Sequence, residues 1–98
     1  MTLLRDPEEV ETRYLHNLSD LAGRRVLEIG CGDGRLTWRY ALAAGYVVGI
    51  DLDPISLLKA QQECQPDLRS KVTFALANSL ALPFPSKLFD VAVLAWSL

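Results

Sequence analysis

Val26-Leu27-Glu28-Ile29-Gly30-Cys31-Gly32-Asp33-Gly34 is the stretch that decides how this chain is read. An apolar run meets a carboxylate, Glu28, and then three glycines at alternate positions, Gly30, Gly32 and Gly34. Glycine has no Cβ, so such a backbone turns sharply and lets a ligand come close. The pattern predicts a strand from Arg25 to Ile29, a turn through the glycines, and a helix from Gly34 to about Ala44 that Gly45 stops. Free N–H groups at a helix start favour anions and polar ligand groups. Asp51 stands 21 residues after Gly30, at the end of a second apolar run, Tyr46 to Ile50. A carboxylate about 20 residues beyond a glycine loop ends the next strand, where it can accept from both hydroxyls of a ribose. Loop and acid together describe a nucleoside-binding crevice.

The glycine spacing narrows the ligand. The dinucleotide fingerprint is G-x-G-x-x-G and seats a pyrophosphate; here the third glycine comes one residue earlier. Glu28 is poor company for a diphosphate and suits an ammonium or sulfonium, because opposite charges attract. On these residues the chain resembles the class I S-adenosylmethionine-dependent methyltransferases, in particular the small-molecule, ubiquinone-biosynthesis-like (type 11) group. The resemblance runs from about Arg24 to Trp96. Val47-Val48-Gly49-Ile50-Asp51-Leu52-Asp53-Pro54 looks like that family's second strand and ribose-binding acid. Val72-Thr73-Phe74-Ala75-Leu76-Ala77-Asn78-Ser79 stands where its third strand and adenine-binding turn belong. Leu82-Pro83-Phe84-Pro85-Ser86-Lys87-Leu88-Phe89-Asp90-Val91 looks like its L-P-F…F-D-V segment.

The resemblance implies a Rossmann-like three-layer α/β sandwich, with a parallel sheet in the order 3-2-1-4 and the ligand at the switch between strands one and four. It implies S-adenosyl-L-methionine as cofactor, held by Glu28, Gly30, Gly32, Gly34, Asp51, Leu52, Asn78, Ser79 and Trp96. It implies methyl transfer by in-line displacement to a small-molecule acceptor. No catalytic residue is identified and no metal is required. Asn78 departs from the family's usual aspartate; its carbonyl can still accept from an adenine amino group, without charge assistance.

Other readings of these residues stay open beside the resemblance. Glu28 either pairs with Arg24 or Arg25 or acts near the methionine ammonium. Leu52 is either core or an apolar wall for adenine. Trp96 either faces the methionine moiety or packs at an edge strand. Asp53, followed by Pro54, reads as a helix cap. Cys31 could be nucleophilic near a helix start, but no paired base is identifiable, and the structural reading wins. Trp38 and Tyr40 read as packing residues, and His16 as a surface or packing residue.

Composition fits one small domain. The chain has 98 residues, half of them hydrophobic, and a formal net charge of −2. No basic stripe points to nucleic acid, and no apolar run approaches the ~20 residues of a membrane span. Cys31 and Cys64 are too few and too unpatterned for a disulfide framework or a zinc site. The N-terminus lacks a signal-peptide layout, so a cytoplasmic location is expected.

The remaining elements follow from breakers and caps. Pro7 to about Leu18 is a predicted helix behind Asp6, within an N-terminal helix-and-loop segment over 1–23. The cofactor-binding domain then occupies 24–98, with a helix from Pro54 to about Cys64 and strands over 71–76 and 89–95. The two crossover helices are expected to cover the same face of the sheet. The other face would be largely bare, and strand four would be an uncovered hydrophobic edge, an aggregation template. The chain is therefore read as the cofactor-binding half of a methyltransferase, incomplete after Leu98, with self-association through the bare surface. The alternatives are a miniature domain that dimerises, a non-catalytic nucleoside-binding or interaction module, and an NAD-dependent oxidoreductase half-domain, against which Asp33-Gly34-Arg35 argues.

Overall fold

The structure, a computed structural model, describes residues 21–78 and 88–95 and the backbone of residues 2–5. Along the chain lie β1 (Thr2–Arg5), β2 (Arg25–Ile29), α1 (Thr37–Tyr40), β3 (Tyr46–Asp51), α2 (Pro54–Glu63), a 3-10 turn (Pro66–Leu68), β4 (Val72–Leu76) and β5 (Val91–Leu94). Among the described residues the strands form one sheet in the order β1-β5-β2-β3-β4. Every neighbouring pair is parallel. With β2, which carries the glycine loop, counted as strand one, the run β4-β3-β2-β5 is the expected 3-2-1-4.

The expected bare edge is not there. β1 lies along the outer side of β5, Thr2 opposite Val91 through to Arg5 opposite Leu94. Val91 and Val93 are buried. The case for self-association through that edge falls with it. Four residues with no turn signal, whose partner lies 89 positions along the chain (91 minus 2), leave no local pattern to read. The predicted helix from Pro7 to Leu18 lies outside the described residues.

Strand register sorts the core. Val26 stands beside Val47 and Val91, and Val47 beside Val72. With Phe74 and Val93 they pack against Leu36, Tyr40 and Ala41 around α1 and against Leu57 and Ala60 of α2. Each such valine is worth ~1.5–3 kcal/mol over leaving it in water. The opposite face is less bare than expected. Leu27 and Ile50 are each about 1% exposed and cluster with Phe89, with Ile29, Tyr46, Val48 and Ala75 packed around them. Phe89 precedes β5 rather than opening it, and its ring lies 6.0 Å from that of Tyr46.

The two helices differ as their starts differ. Asp53 caps α2 as expected: its side chain accepts from Ile55 N at 3.0 Å, and Pro54 follows at the first helical position. A cap of this kind is typically worth ~1 kcal/mol. The segment after the glycine loop makes only four helical residues instead of the predicted eleven (34 to 44). Gly34 has φ +90°, outside the helical region, and no side chain caps the start at Leu36. At the far end Gly23 N donates to Ala43 O and Gly45 N to Arg24 O, both at 2.8 Å. A Cβ on Gly45 would sit 2.7 Å from Gly23 O, so glycine is needed there for close approach as well as for stopping the helix.

At the N-terminal end of β2, Arg25 grips Asp90 just before β5. Its backbone N donates to Oδ2 at 2.9 Å, and its guanidinium donates to both oxygens, at 2.8 and 3.2 Å. These bonds hold the Asp90 carboxyl well below the usual carboxylate range.

Candidate functional site

The site forms where β2, β3 and β5 end. The chain passes from β2 to β3 and β4 on one side, then returns to β5 on the other, so the C-terminal end of β2 is the switch point of the sheet. Ligands of open α/β sheets bind at such points. The pocket there measures about 270 Å³. Gly30, Cys31, Gly32 and Asp33 form one wall, Arg35 and Leu36 continue it, and Asp51 and Ala95 contribute from β3 and from beyond β5.

All three loop glycines have positive φ: +77° at Gly30, +57° at Gly32 and +90° at Gly34. Side chains are strained in that region. A Cβ on Gly32 would meet nothing within 4 Å, so a larger side chain would enter the open space that a ligand needs. Four of the five N–H groups from Gly30 to Gly34 have acceptors on β3 or in the loop, Gly32 N among them. Gly30 N and Cys31 N donate to Ile50 O at 2.8 and 3.0 Å, Gly34 N to Cys31 O at 3.1 Å, and Arg35 N to Asp33 Oδ1 at 3.3 Å. The expected helix-start anion cradle is therefore absent: α1 is too short, and these donors already have acceptors.

Asp51 ties the two strand ends together. Its Oδ2 accepts from Gly32 N at 2.8 Å and its Oδ1 from Asp53 N at 2.9 Å. A carboxylate offers about four acceptor sites. Two backbone donors fix its orientation and leave acceptor capacity on a half-buried group at the pocket wall.

Glu28 lies on the helix-covered face, fully buried and absent from the pocket wall. Arg25 does not pair with it, since its guanidinium turns to Asp90. Glu28 instead accepts from Thr37 Oγ1, 3.0 Å from both carboxylate oxygens, and from Tyr40 Oη at 2.5 Å. The second length is that of a charge-assisted O–H···O⁻ bond. Burial first, then the Glu28 charge and this bond, push the Tyr40 hydroxyl well above its usual range, so it stays a donor. Cys31 is buried over Gly49, where a Cβ would come within 3.0 Å of its Sγ. Burial first, and then the Glu28 and Asp51 charges, push its thiol upward, which favours the structural reading.

A family model described as a methyltransferase domain matches residues 26–98. The chain belongs to that family. The 27-O-demethylrifamycin SV methyltransferase of Amycolatopsis mediterranei (strain S699) is 34% identical over 97 residues, covering 93% of this chain and 35% of the relative. The demethylmenaquinone methyltransferase of Lactococcus lactis subsp. lactis (strain IL1403) is 28% identical over 91 residues, covering 88% and 35%. This methyltransferase domain thus spans about a third of the length of those relatives. Among solved structures, an RNA methyltransferase from Salinibacter ruber in complex with S-adenosyl-L-homocysteine matches with TM-score 0.70 and 26% identity, over 91% of this chain and 58% of the other. An S-adenosylmethionine-dependent methyltransferase from Mesorhizobium loti matches with TM-score 0.69 and 28% identity, over 85% and 37%.

Of the residues expected to hold cofactor in this methyltransferase domain, Gly30, Gly32 and Asp51 line the pocket. Gly34 shapes the loop from outside that wall, with Trp38 packed where its Cβ would be. Leu52 is 66% exposed, which excludes the core reading. Asn78 is exposed just beyond β4, next to Ala77, whose N donates to the backbone O of Asp51 at 3.1 Å. Ser79 and Trp96 lie outside the described residues. Sequence reasoning missed Arg35, Leu36 and Ala95 on the pocket wall. It also read Tyr40 as packing alone and did not single out Thr37. Hydroxyls nine and twelve residues past a buried acid are a usable signal only once the turn between them is known. Among the described residues no group of three or more His, Cys, Asp or Glu is placed to hold a metal ion. Nor is any helix among them long and apolar enough to cross a membrane.

Proposed function

We propose that this chain binds S-adenosyl-L-methionine and serves as the cofactor-binding part of an enzyme that transfers its methyl group to a small-molecule acceptor. The observation that carries the reading is the pairing of loop and acid. The N–H groups of Gly30, Cys31, Gly32 and Gly34 already have acceptors, which disfavours a pyrophosphate, while Asp51 keeps acceptor capacity for a hydroxyl-bearing ligand. The empty space at the missing Cβ of Gly32 fits close approach of a nucleoside. Asp51 would hold the ribose, Gly30 and Gly32 would let the ligand lie on the backbone, and Asn78 and Leu52 would meet the adenine. When bound, the cofactor supplies an electrophilic methyl group on a sulfonium, and the chain's own part is to bind, orient and exclude water.

A small-molecule acceptor is supported by the names of the rifamycin and menaquinone relatives. RNA is the other acceptor class named among the relatives, so it becomes an arm of the test. Thermal unfolding with S-adenosylhomocysteine and with NAD checks the cofactor: ligand that binds only the native state raises the transition. A shift with S-adenosylhomocysteine and none with NAD is expected, and the reverse sinks the reading. Methylation assays with hydroxylated aromatics and with tRNA then separate the acceptors; transfer to tRNA alone overturns the small-molecule proposal.

A further inference from the structure

We propose that Thr37 and Tyr40 are positioning residues: by giving both hydroxyls to the Glu28 carboxylate, they lock the segment after the glycine loop onto the end of β2 and hold Gly30–Gly34 in its ligand-receiving shape. The inference rests on the proposed cofactor site for its functional consequence, and on geometry alone for the lock.

The loop is tied to β3 on one side, through Gly30 N, Cys31 N and Gly32 N, and the lock ties it to the helix-covered face on the other. Three positive-φ glycines in five residues are the most freely rotating backbone in the unfolded chain, and ordering them carries a high entropic cost. The segment that follows offers little help, with four helical residues and no side-chain cap. Glu28 and Thr37 flank the loop on either side, two residues before Gly30 and three after Gly34. The bonds from Thr37 and Tyr40 to Glu28 therefore close a ring around the loop from outside it. Inside that ring, Gly32 N reaches Asp51, which carries the restraint to the pocket wall. All three side chains of the lock are buried, so water does not compete for these bonds.

The test pairs a ligand-free measurement with a binding measurement on the 98-residue chain. Tyr40→Phe and Thr37→Val remove one hydroxyl each and keep the packing; Thr37→Ser restores the hydroxyl. Leu57→Ala is a control that loosens the same core cluster from α2 and removes no hydroxyl. Amide exchange at Gly32 and Gly34 should run at least 10-fold faster in Tyr40→Phe and Thr37→Val, with β4 amides such as Phe74 unchanged. Thr37→Ser should stay within about 2-fold of the parent. S-adenosylhomocysteine affinity, measured by calorimetry well below the unfolding transition, should fall about 5- to 20-fold in the first two variants and stay within 2-fold in Leu57→Ala. Unchanged loop exchange in Tyr40→Phe overturns the lock. So does an equal rise in loop exchange in Leu57→Ala, which would mark general loosening. Faster loop exchange with no S-adenosylhomocysteine binding by any variant or the parent keeps the lock and overturns the cofactor reading instead.

Discussion

β2 is five residues long, and its two ends use charge in different ways. At the start, Arg25 and Asp90 meet at the surface, each still partly open to water. At the finish, Glu28 is sealed from water and accepts from two neutral hydroxyls, those of Thr37 and Tyr40. An exposed ion pair adds little and responds to salt and acid. A buried carboxylate whose donors are removed is left uncompensated, at a cost of ~1–3 kcal/mol or more. The strand is thus pinned loosely at the end that faces no ligand and rigidly at the end that carries the loop. Asp51, the next carboxylate along the site, is intermediate: half-buried, held by two backbone donors, with acceptor capacity to spare.

The comparison breaks most visibly at Gly32. Gly32→Val brings a β-branched residue to φ +57° and puts its side chain into the pocket. Strain of ~1–3 kcal/mol and a filled approach path should abolish S-adenosylhomocysteine binding while the sheet still folds. A folded Gly32→Val chain that titrates like the parent would place the ligand elsewhere.

Asp51→Ala comes second. Each hydrogen bond to its charge is worth ~1.5–3 kcal/mol, so affinity should fall roughly 10- to 150-fold for each ribose bond lost. The variant also strips acceptors from Gly32 N and Asp53 N, so the transition temperature should drop as well. Asp51→Asn keeps one carbonyl acceptor and should fall between the two. Equal affinity for parent and Asp51→Ala, read by calorimetry, removes Asp51 from the site.

The smallest effect belongs to the other end of β2. The folded pKa of Asp90 lies below its unfolded value, so its contribution is present above the ordinary aspartate range, near ~3.9, and is lost as pH falls through the folded value. Asp90→Asn should therefore flatten the acid limb of a transition-temperature profile below about pH 4. It should leave S-adenosylhomocysteine affinity at neutral pH unchanged. A loss of affinity in Asp90→Asn would show that the ends of β2 are coupled and would dissolve the contrast.

What could be read from the sequence was what local pattern writes. Alternating glycines, Asp51 at the right distance, and the Asp53-Pro54 cap each signal their geometry within a few residues, and β2, β3, α2 and β4 fall within one residue of their expected bounds. The parts that escaped depend on the fold. β1 exists as a strand through residues at the far end of the chain. The partners of Glu28 follow from the path of the loop, and Arg25 looked equally ready to pair with Glu28 until the register set Asp90 beside it. The predicted helix after Gly34 failed because good helix formers such as Leu42 and Ala43 could not outweigh a glycine held at φ +90° at one end and a chain pinned to Gly23 at the other.

The pairing of β1 with β5 also bears on the order of assembly. β2, β3 and β4 are neighbours in sequence and can zip together as each emerges from the ribosome. Thr2–Arg5 is made before the other described strands yet, among the described residues, has only β5 beside it, so its place in the sheet opens after residue 94 has been synthesised. At the usual 5–20 residues per second, that is a wait of some seconds with a Thr-Leu-Leu-Arg segment unpaired. Closing so long a loop adds little to the equilibrium cost, since that cost grows only with the logarithm of length, but it slows the search. Of the five described strands, the earliest in sequence is thus the last to dock.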